Sequence, residues 1–238
     1  MIRGDYLTAI IPARRGSKGI PGKNMYRIQG ETLVEIAIRM ARRSHQVDRV
    51  LVTTDDPEIH ELAQNLNAAP PSLRPDELAT DTARTIDAVR HVIKDAGIPS
   101  GYILLLQVTT PLRTDEDLKN FLRAFEADPE AEAIVSVVQH DSPHPEKIMK
   151  MDGKYITSYT GNNPSVPRQT LPKVFALNGA FYLTSLEVIK SQGTFLPRKT
   201  IAHTMPPERS INLDGPLDML LLEALLAKGN KLQDLLGN

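Results

Sequence analysis

Leu7-Thr8-Ala9-Ile10-Ile11-Pro12 runs directly into Ala13-Arg14-Arg15-Gly16-Ser17-Lys18-Gly19-Ile20-Pro21-Gly22-Lys23-Asn24. The first six residues read as a buried strand. The next twelve hold four cations, three glycines and no acid. Glycine lets a backbone turn sharply and approach a ligand closely. A loop of this kind at the end of a strand suits the phosphates of a nucleotide. It matches neither common phosphate loop. The Walker pattern needs four residues between its glycines and a Ser or Thr after the Lys. Here five residues separate Gly16 from Gly22, and Asn24 follows Lys23. The dinucleotide pattern G-x-G-x-x-G is replaced by G-x-x-G-x-x-G. Solvated surface lysines are the plainer alternative for Lys18 and Lys23.

Beyond this loop, apolar runs and amphipathic stretches alternate. Strands are expected at 7–12, 49–53, 102–107 and 133–138. Helices are expected at 32–43, from Asp56-Pro57 to about 66, at 85–94 and at 115–126. A β-α-β-α rhythm predicts a Rossmann-like, mostly parallel sheet flanked by helices. The rhythm breaks between about Gln139 and Ala176, where prolines cluster. That stretch also carries Ile148, Met151, Tyr155, Ile156, Tyr159 and Phe175. It is too apolar for a linker and reads as a small subdomain or dimer arm inserted in one domain of 1–238. Two further strands, near 180–183 and 201–203, and a helix over 217–235 complete the expected fold.

The bulk numbers restrict the function. The chain has 238 residues and a formal charge of -1, so nothing draws it to nucleic acid or an anionic membrane. The basic loop is a local device. There is no cysteine, hence no disulfide, thiol nucleophile or thiolate metal site. No apolar run reaches membrane-spanning length, and the N-terminal residues lack a signal-peptide core. The expected location is cytoplasmic. The histidines show no metal-site spacing.

The loop from Ile11 to Asn24 closely resembles the signature of the acylneuraminate cytidylyltransferases. The likeness continues in order through Val52-Thr53-Thr54-Asp55, Leu73 to Thr82, Leu105 to Arg113, Arg168-Gln169, Asn178 to Tyr182 and Ser210 to Asp214. The resemblance implies a nucleotidyltransferase that joins CMP from CTP to a nonulosonic sugar acid and releases pyrophosphate. It also implies a homodimer built on the arm. A 3-deoxy-manno-octulosonate or other sugar nucleotidylyltransferase is one alternative. A nucleotide-binding protein with weakened catalysis is another.

The resemblance also assigns residues. Arg14, Lys18 and Lys23 would hold the triphosphate, where fixed cations and Mg²⁺ stabilise the leaving charge. Ala13, Gly16, Ser17, Asn24 and Arg74 would fix the nucleotide. Gln107, Thr109, Arg113 and Asn178 would meet the sugar acid. Arg113 suits a carboxylate because its planar fork can bind both oxygens, or it pairs with Asp115 or Glu116 on the surface. Arg168 would act across the dimer. Phe195 would face the N-acyl group, although an isolated Phe also reads as core. Asn212-Leu213-Asp214 stands where the family shows Asp-x-Asp, with both side chains on one face of an extended strand. Mg²⁺ would then rest on Asp214 and Asn212. Asp214 has a second reading as cap of the last helix, and Asp218 as water-mediated ligand or dipole complement. Ala176-Leu177 precede Asn178 where some bacterial sialic acid enzymes carry an arginine. The sugar is therefore open among sialic, legionaminic, pseudaminic and related 2-keto-3-deoxy acids.

Overall fold

The computed structural model describes residues 1–16, 19–162 and 164–227. In chain order the strands are β1 (Leu7–Pro12), β2 (Arg27–Ile28), β3 (Glu31–Thr32), β4 (Arg49–Thr53) and β5 (Tyr102–Leu105). They continue as β6 (Ala133–Gln139), β7 (Met149–Asp152), β8 (Tyr155–Ser158), β9 (Phe175–Ser185) and β10 (Thr200–Met205). The α-helices are α1 (Leu33–Arg43), α2 (Pro57–Asn65), α3 (Thr85–Asp95), α4 (Asp115–Ala127), α5 (Leu186–Gln192) and α6 (Pro216–Ala227).

Six strands form one sheet in the order β10-β6-β9-β5-β1-β4. β1 pairs in parallel with both β4 and β5, and β10 pairs in parallel with β6. β9 alone runs antiparallel, between β5 and β6. The sheet is thus mostly parallel, as the alternating pattern predicts. A sheet covered on both faces needs strands apolar on both sides. β1 meets this need, since Leu7 to Ile11 are all buried. Ala9 and Ile11 face a core shared with α1, α2 and α4. Ile10 faces the opposite core, shared with α3 and α5.

The helix starts follow from local chemistry. Thr32 and Thr114 each form a reciprocal capping box, with Glu35 and Asp117 respectively. Asp56 caps α2, with Pro57 in the first turn, where a missing N–H costs nothing. Helices α1 and α4 then bury one apolar stripe each, including Ile36, Met40, Phe121 and Phe125.

The chain crosses from β4 on one side of β1 to β5 on the other. The topological switch point therefore lies between β1 and β5, where open α/β sheets bind ligands. The expected arm contains the separate β7–β8 hairpin. Its last residues, Phe175 and Ala176, belong instead to β9, which pairs them with Gln139 and Val138. Helix α6 is described to Ala227; the expected extension to 235 lies outside the described residues.

Candidate active site

A cleft of about 300 Å³ opens at the switch point, within the ordinary range for ligand pockets. Pro12, Arg14, Gly16, Lys23 and Asn24 supply one wall, and Gln107, Val108 and Thr109 another. Arg74, Leu78, Thr80, Asp81 and the start of α3 close the third side. The residues read from sequence as loop cations and as a strand-end pair thus meet in one place. Ser17 and Lys18 lie outside the described residues.

The loop is tied down by its own backbone and by the next strand. Ala13 N donates to Thr53 O at 2.9 Å, and Arg15 N donates to Asp55 Oδ1 at 2.9 Å. Asn24 Nδ2 donates to Arg14 O at 2.7 Å, so Asn24 braces the loop from within. Arg14 itself pairs with Asp81 at 3.0 Å. Arg74 is buried, and its Nε donates to Thr53 Oγ1 at 3.1 Å while Nη2 donates to Thr53 O. Burial pulls its guanidinium down to about 10, opposed by nearby Asp55. The cleft floor is therefore a desolvated cation, and such charges act more strongly on a ligand than solvated ones.

Lys23 joins this loop to the far end of the chain. Its Nζ donates to Leu213 O at 2.6 Å and lies 3.7 Å from Asp214 Oδ1. Burial holds the ammonium below the usual lysine range, Asp214 opposes this, and Arg14 adds to it. Gly19 packs on the same segment. A Cβ there would fall 1.7 Å from Asp214 O, so only glycine permits the loop to close onto Asp214.

Asp214 keeps its carboxylate toward solvent and Lys23, and among the described residues it caps no main-chain amide. Asp218 does the capping, accepting from Asp214 N at 2.9 Å and Gly215 N at 2.7 Å. This geometry corrects the cap reading of Asp214 and gives the cap to Asp218. Asn212 Nδ2 donates to Asp214 Oδ2 at 2.5 Å, and its Oδ1 is buried without a partner. The reverse orientation would set two oxygens against each other, so the amide nitrogen faces the carboxylate. In this arrangement the amide nitrogen of Asn212 holds Asp214. Among the described residues no cluster of three or more His, Cys, Asp or Glu is arranged to hold a metal. A single carboxylate still fits Mg²⁺, which is commonly bound through one or two carboxylates together with substrate phosphates.

Three sugar-acid assignments also change. Arg113 is only 1% exposed. Its Nη1 donates to Gln107 O at 2.6 Å and Ala180 O at 3.3 Å, and burial draws it down to about 9. Among the described residues it pairs with no surface acid, and it does not line the cleft. Asn178 is buried in a polar network. Its Oδ1 accepts from Ser136 Oγ at 2.6 Å, and its Nδ2 donates to Ser210 Oγ at 2.9 Å. Phe195 packs in the core with its ring centroid 6.3 Å from Tyr182. Arg168 sits on the arm surface, 3.8 Å from Asp141 and away from this chain's cleft. The sequence reading missed the supports, Thr53 and Asp81. Both lie inside stretches that carry the family resemblance, which was the available signal.

A mixed α/β sheet with a basic loop and a buried arginine at its switch point is suited to binding a nucleotide. The solved structure of a CMP:2-keto-3-deoxy-manno-octonic acid synthetase complexed with CTP shares this fold, with a TM-score of 0.68 at 17% identity over 94% of this chain and 99% of that one. A family model described as cytidylyltransferase matches residues 8–148, and the chain belongs to that family. Relatives include an N-acylneuraminate cytidylyltransferase of Escherichia coli, 28% identical over 94% of this chain and 53% of its own length. A CMP-N,N'-diacetyllegionaminic acid synthase of Legionella pneumophila is 28% identical over 92% of this chain and 96% of its own length. A pseudaminic acid cytidylyltransferase of Campylobacter jejuni is 26% identical over 88% and 91%. The chain thus spans about half of the E. coli relative and nearly all of the other two.

Proposed function

We propose that the chain transfers CMP from CTP to a nonulosonic sugar acid. The observation that carries this is the convergence of Arg14, Lys23 and Arg74 with Gln107 and Thr109 on one cleft, in a chain of the cytidylyltransferase family. The names of the Legionella and Campylobacter relatives favour sugar acids of the legionaminic and pseudaminic type. In the reaction, a sugar hydroxyl oxygen bonds the α-phosphorus, the bond from that phosphorus to the β-phosphate oxygen breaks, and pyrophosphate leaves with the electron pair. The hydroxyl proton is released.

Arg14 and Lys23 would face the triphosphate, where fixed positive charge stabilises the departing pyrophosphate. Asn24, Ala13 and Gly16 would shape the loop around it, and Arg74 would supply a desolvated cation beneath the nucleotide. Gln107 and Thr109 would meet the sugar acid. Asp214 would hold Mg²⁺ jointly with the nucleotide phosphates. When bound, the ion would neutralise phosphate charge that the loop alone leaves exposed. The β7–β8 hairpin presents Met151, Tyr155, Ile156 and Tyr159 to solvent. This apolar face supports a homodimer in which Arg168 would reach the neighbouring cleft. A cytoplasmic location fits a reaction between soluble nucleotides and free sugar acids; among the described residues no helix is long and apolar enough to cross a membrane.

Calorimetry with CTP, UTP, ATP and GTP in the presence of Mg²⁺ tests the nucleotide half of the proposal. Selective CTP binding is the expected result, and equal binding of all four overturns it. A second reading is favoured by Asn212: a nucleotide-binding protein with weakened catalysis. It predicts CTP binding without pyrophosphate release for any sugar acid offered.

A further inference from the structure

Gln107 leaves β5 and faces the cleft. Among the described residues its carboxamide has no hydrogen-bond partner, whereas its main-chain carbonyl accepts from Arg113. A carboxamide offers two donors and one acceptor group. Left free at a cleft wall, it is available to read a hydroxyl or acylamido group.

Two features fix that side chain without occupying its hydrogen bonds. The first is Gly179. Its φ is +76°, and a Cβ there would lie 2.6 Å from Gln107 Oε1, 3.4 Å from Gln107 Cδ and 3.3 Å from Thr110 Oγ1. The carboxamide therefore lies against bare backbone in β9, close to where the β6–β9 register shifts. Any side chain at 179 would push it off its seat. The second is Arg113. Its guanidinium bridges Gln107 O and Ala180 O, so it ties the strand exit to the residue beside Gly179. The bridge is an expensive one. Arg113 is fully enclosed and, among the described residues, has no carboxylate partner and leaves its Nε unpaired. Burial of a charge without a counter-ion is costly, and a tie between two carbonyls alone does not require it. What the charge does accomplish is to hold the main chain of Gln107 at the mouth of the cleft with a rigid, planar donor.

We propose that Gly179 and Arg113 are positioning residues for Gln107, and that together they make its carboxamide the group that selects the sugar acid. This rests on the reading of Gln107 as the sugar contact. A seated polar group discriminates strongly, because a substrate lacking the matching hydroxyl or amide leaves it unpaired. Gly179 and Arg113 thus act on sugar choice while standing outside the nucleotide half of the cleft.

A double-mutant cycle tests this. Gln107→Ala and Gly179→Ala are each expected to raise the sugar-acid KM by roughly tenfold, the scale of one aligned hydrogen bond. CTP affinity by calorimetry should stay at the wild-type value in both. In the double variant the Gly179→Ala effect should vanish, because its Cβ no longer meets Oε1; coupling of this kind is what contacting residues show. A double variant carrying the product of the two single effects overturns the proposal, as does Gly179→Ala with wild-type sugar KM. Should Gly179→Ala lose CTP binding, Arg113→Lys takes its place in the cycle. It keeps the charge but loses the fork, and its sugar KM effect must likewise disappear on Gln107→Ala. Should Gln107→Ala itself leave the sugar KM unchanged, the assignment of Gln107 as sugar contact falls, and this proposal with it.

Discussion

Lys23 sits under opposing influences. Burial disfavours its charge, while Asp214 at 3.7 Å and the carbonyl of Leu213 at 2.6 Å retain it. A cation so held is ready for an incoming phosphate and needs little reorganisation. Lys23→Ala should lower turnover by about a hundredfold, the usual scale for removing one preorganised charge-stabilising group. Its circular dichroism spectrum should remain that of the wild type, and unchanged turnover would refute the role. Asn212 gives a second prediction. Its amide now donates to Asp214, so Asn212→Asp sets two carboxylates against each other. The variant's melting temperature should fall in chelator and recover with Mg²⁺, because a cation relieves the repulsion. Insensitivity of the melt to Mg²⁺ would contradict the observed orientation. At this scale charge and glycine spacing in a local string singled out Arg14 and Lys23, and the family resemblance singled out Arg74, Gln107 and Thr109; all five line the cleft. Arg113, Asn178 and Phe195 were misassigned because burial is decided by distant elements. Nothing near Arg113 in the sequence announces that Phe181 and Ala180 will enclose it.

Most elements were legible where periodicity was strong. β1, α1, β4, α3 and α4 lie where the apolar pattern puts them, with cap residues marking the helix starts. β9 was read too short. It gains Phe175 to Gly179 only by pairing with β6 across a register shift, a tertiary effect invisible in its own proline-flanked sequence. Helix α5 went unread, since seven residues carry too little periodicity. β10 supplies a pH prediction. His203 is half-buried on this strand, edge-on to Phe121 with ring centroids 5.9 Å apart. Burial lowers its pKa from the usual 6.5, with Asp117 opposing. The unfolded chain therefore takes up this proton at a higher pH than the native protein does. The stability at stake is fully present above the unfolded value, and is lost as pH falls through the lower native value. Urea midpoints should accordingly fall between neutral pH and about pH 5. His203→Gln should flatten that slope, and an unaltered slope would remove His203 as its source.

At the scale of the molecule, the β7–β8 hairpin stands apart from the main sheet with Met151, Tyr155 and Ile156 exposed. An exposed apolar patch of this kind marks an interaction site. On the proposed homodimer, Tyr155→Glu with Ile156→Lys should leave only a monomer in light scattering and lower activity, because Arg168 would no longer reach a neighbouring cleft. A wild-type monomer with full activity would refute the arm's role. The proline-rich composition marked the break between β6 and β9, but not the β7–β8 hairpin within it. The central claim is that the cleft joins CMP to a sugar acid. Phosphorus NMR of the protein with CTP, Mg²⁺ and a panel of nonulosonic acids tests it most directly. The account predicts loss of the CTP signals with equal gains of pyrophosphate and a phosphodiester resonance, for at least one acid. CTP that persists with every acid, or that yields only CDP and inorganic phosphate, would contradict it.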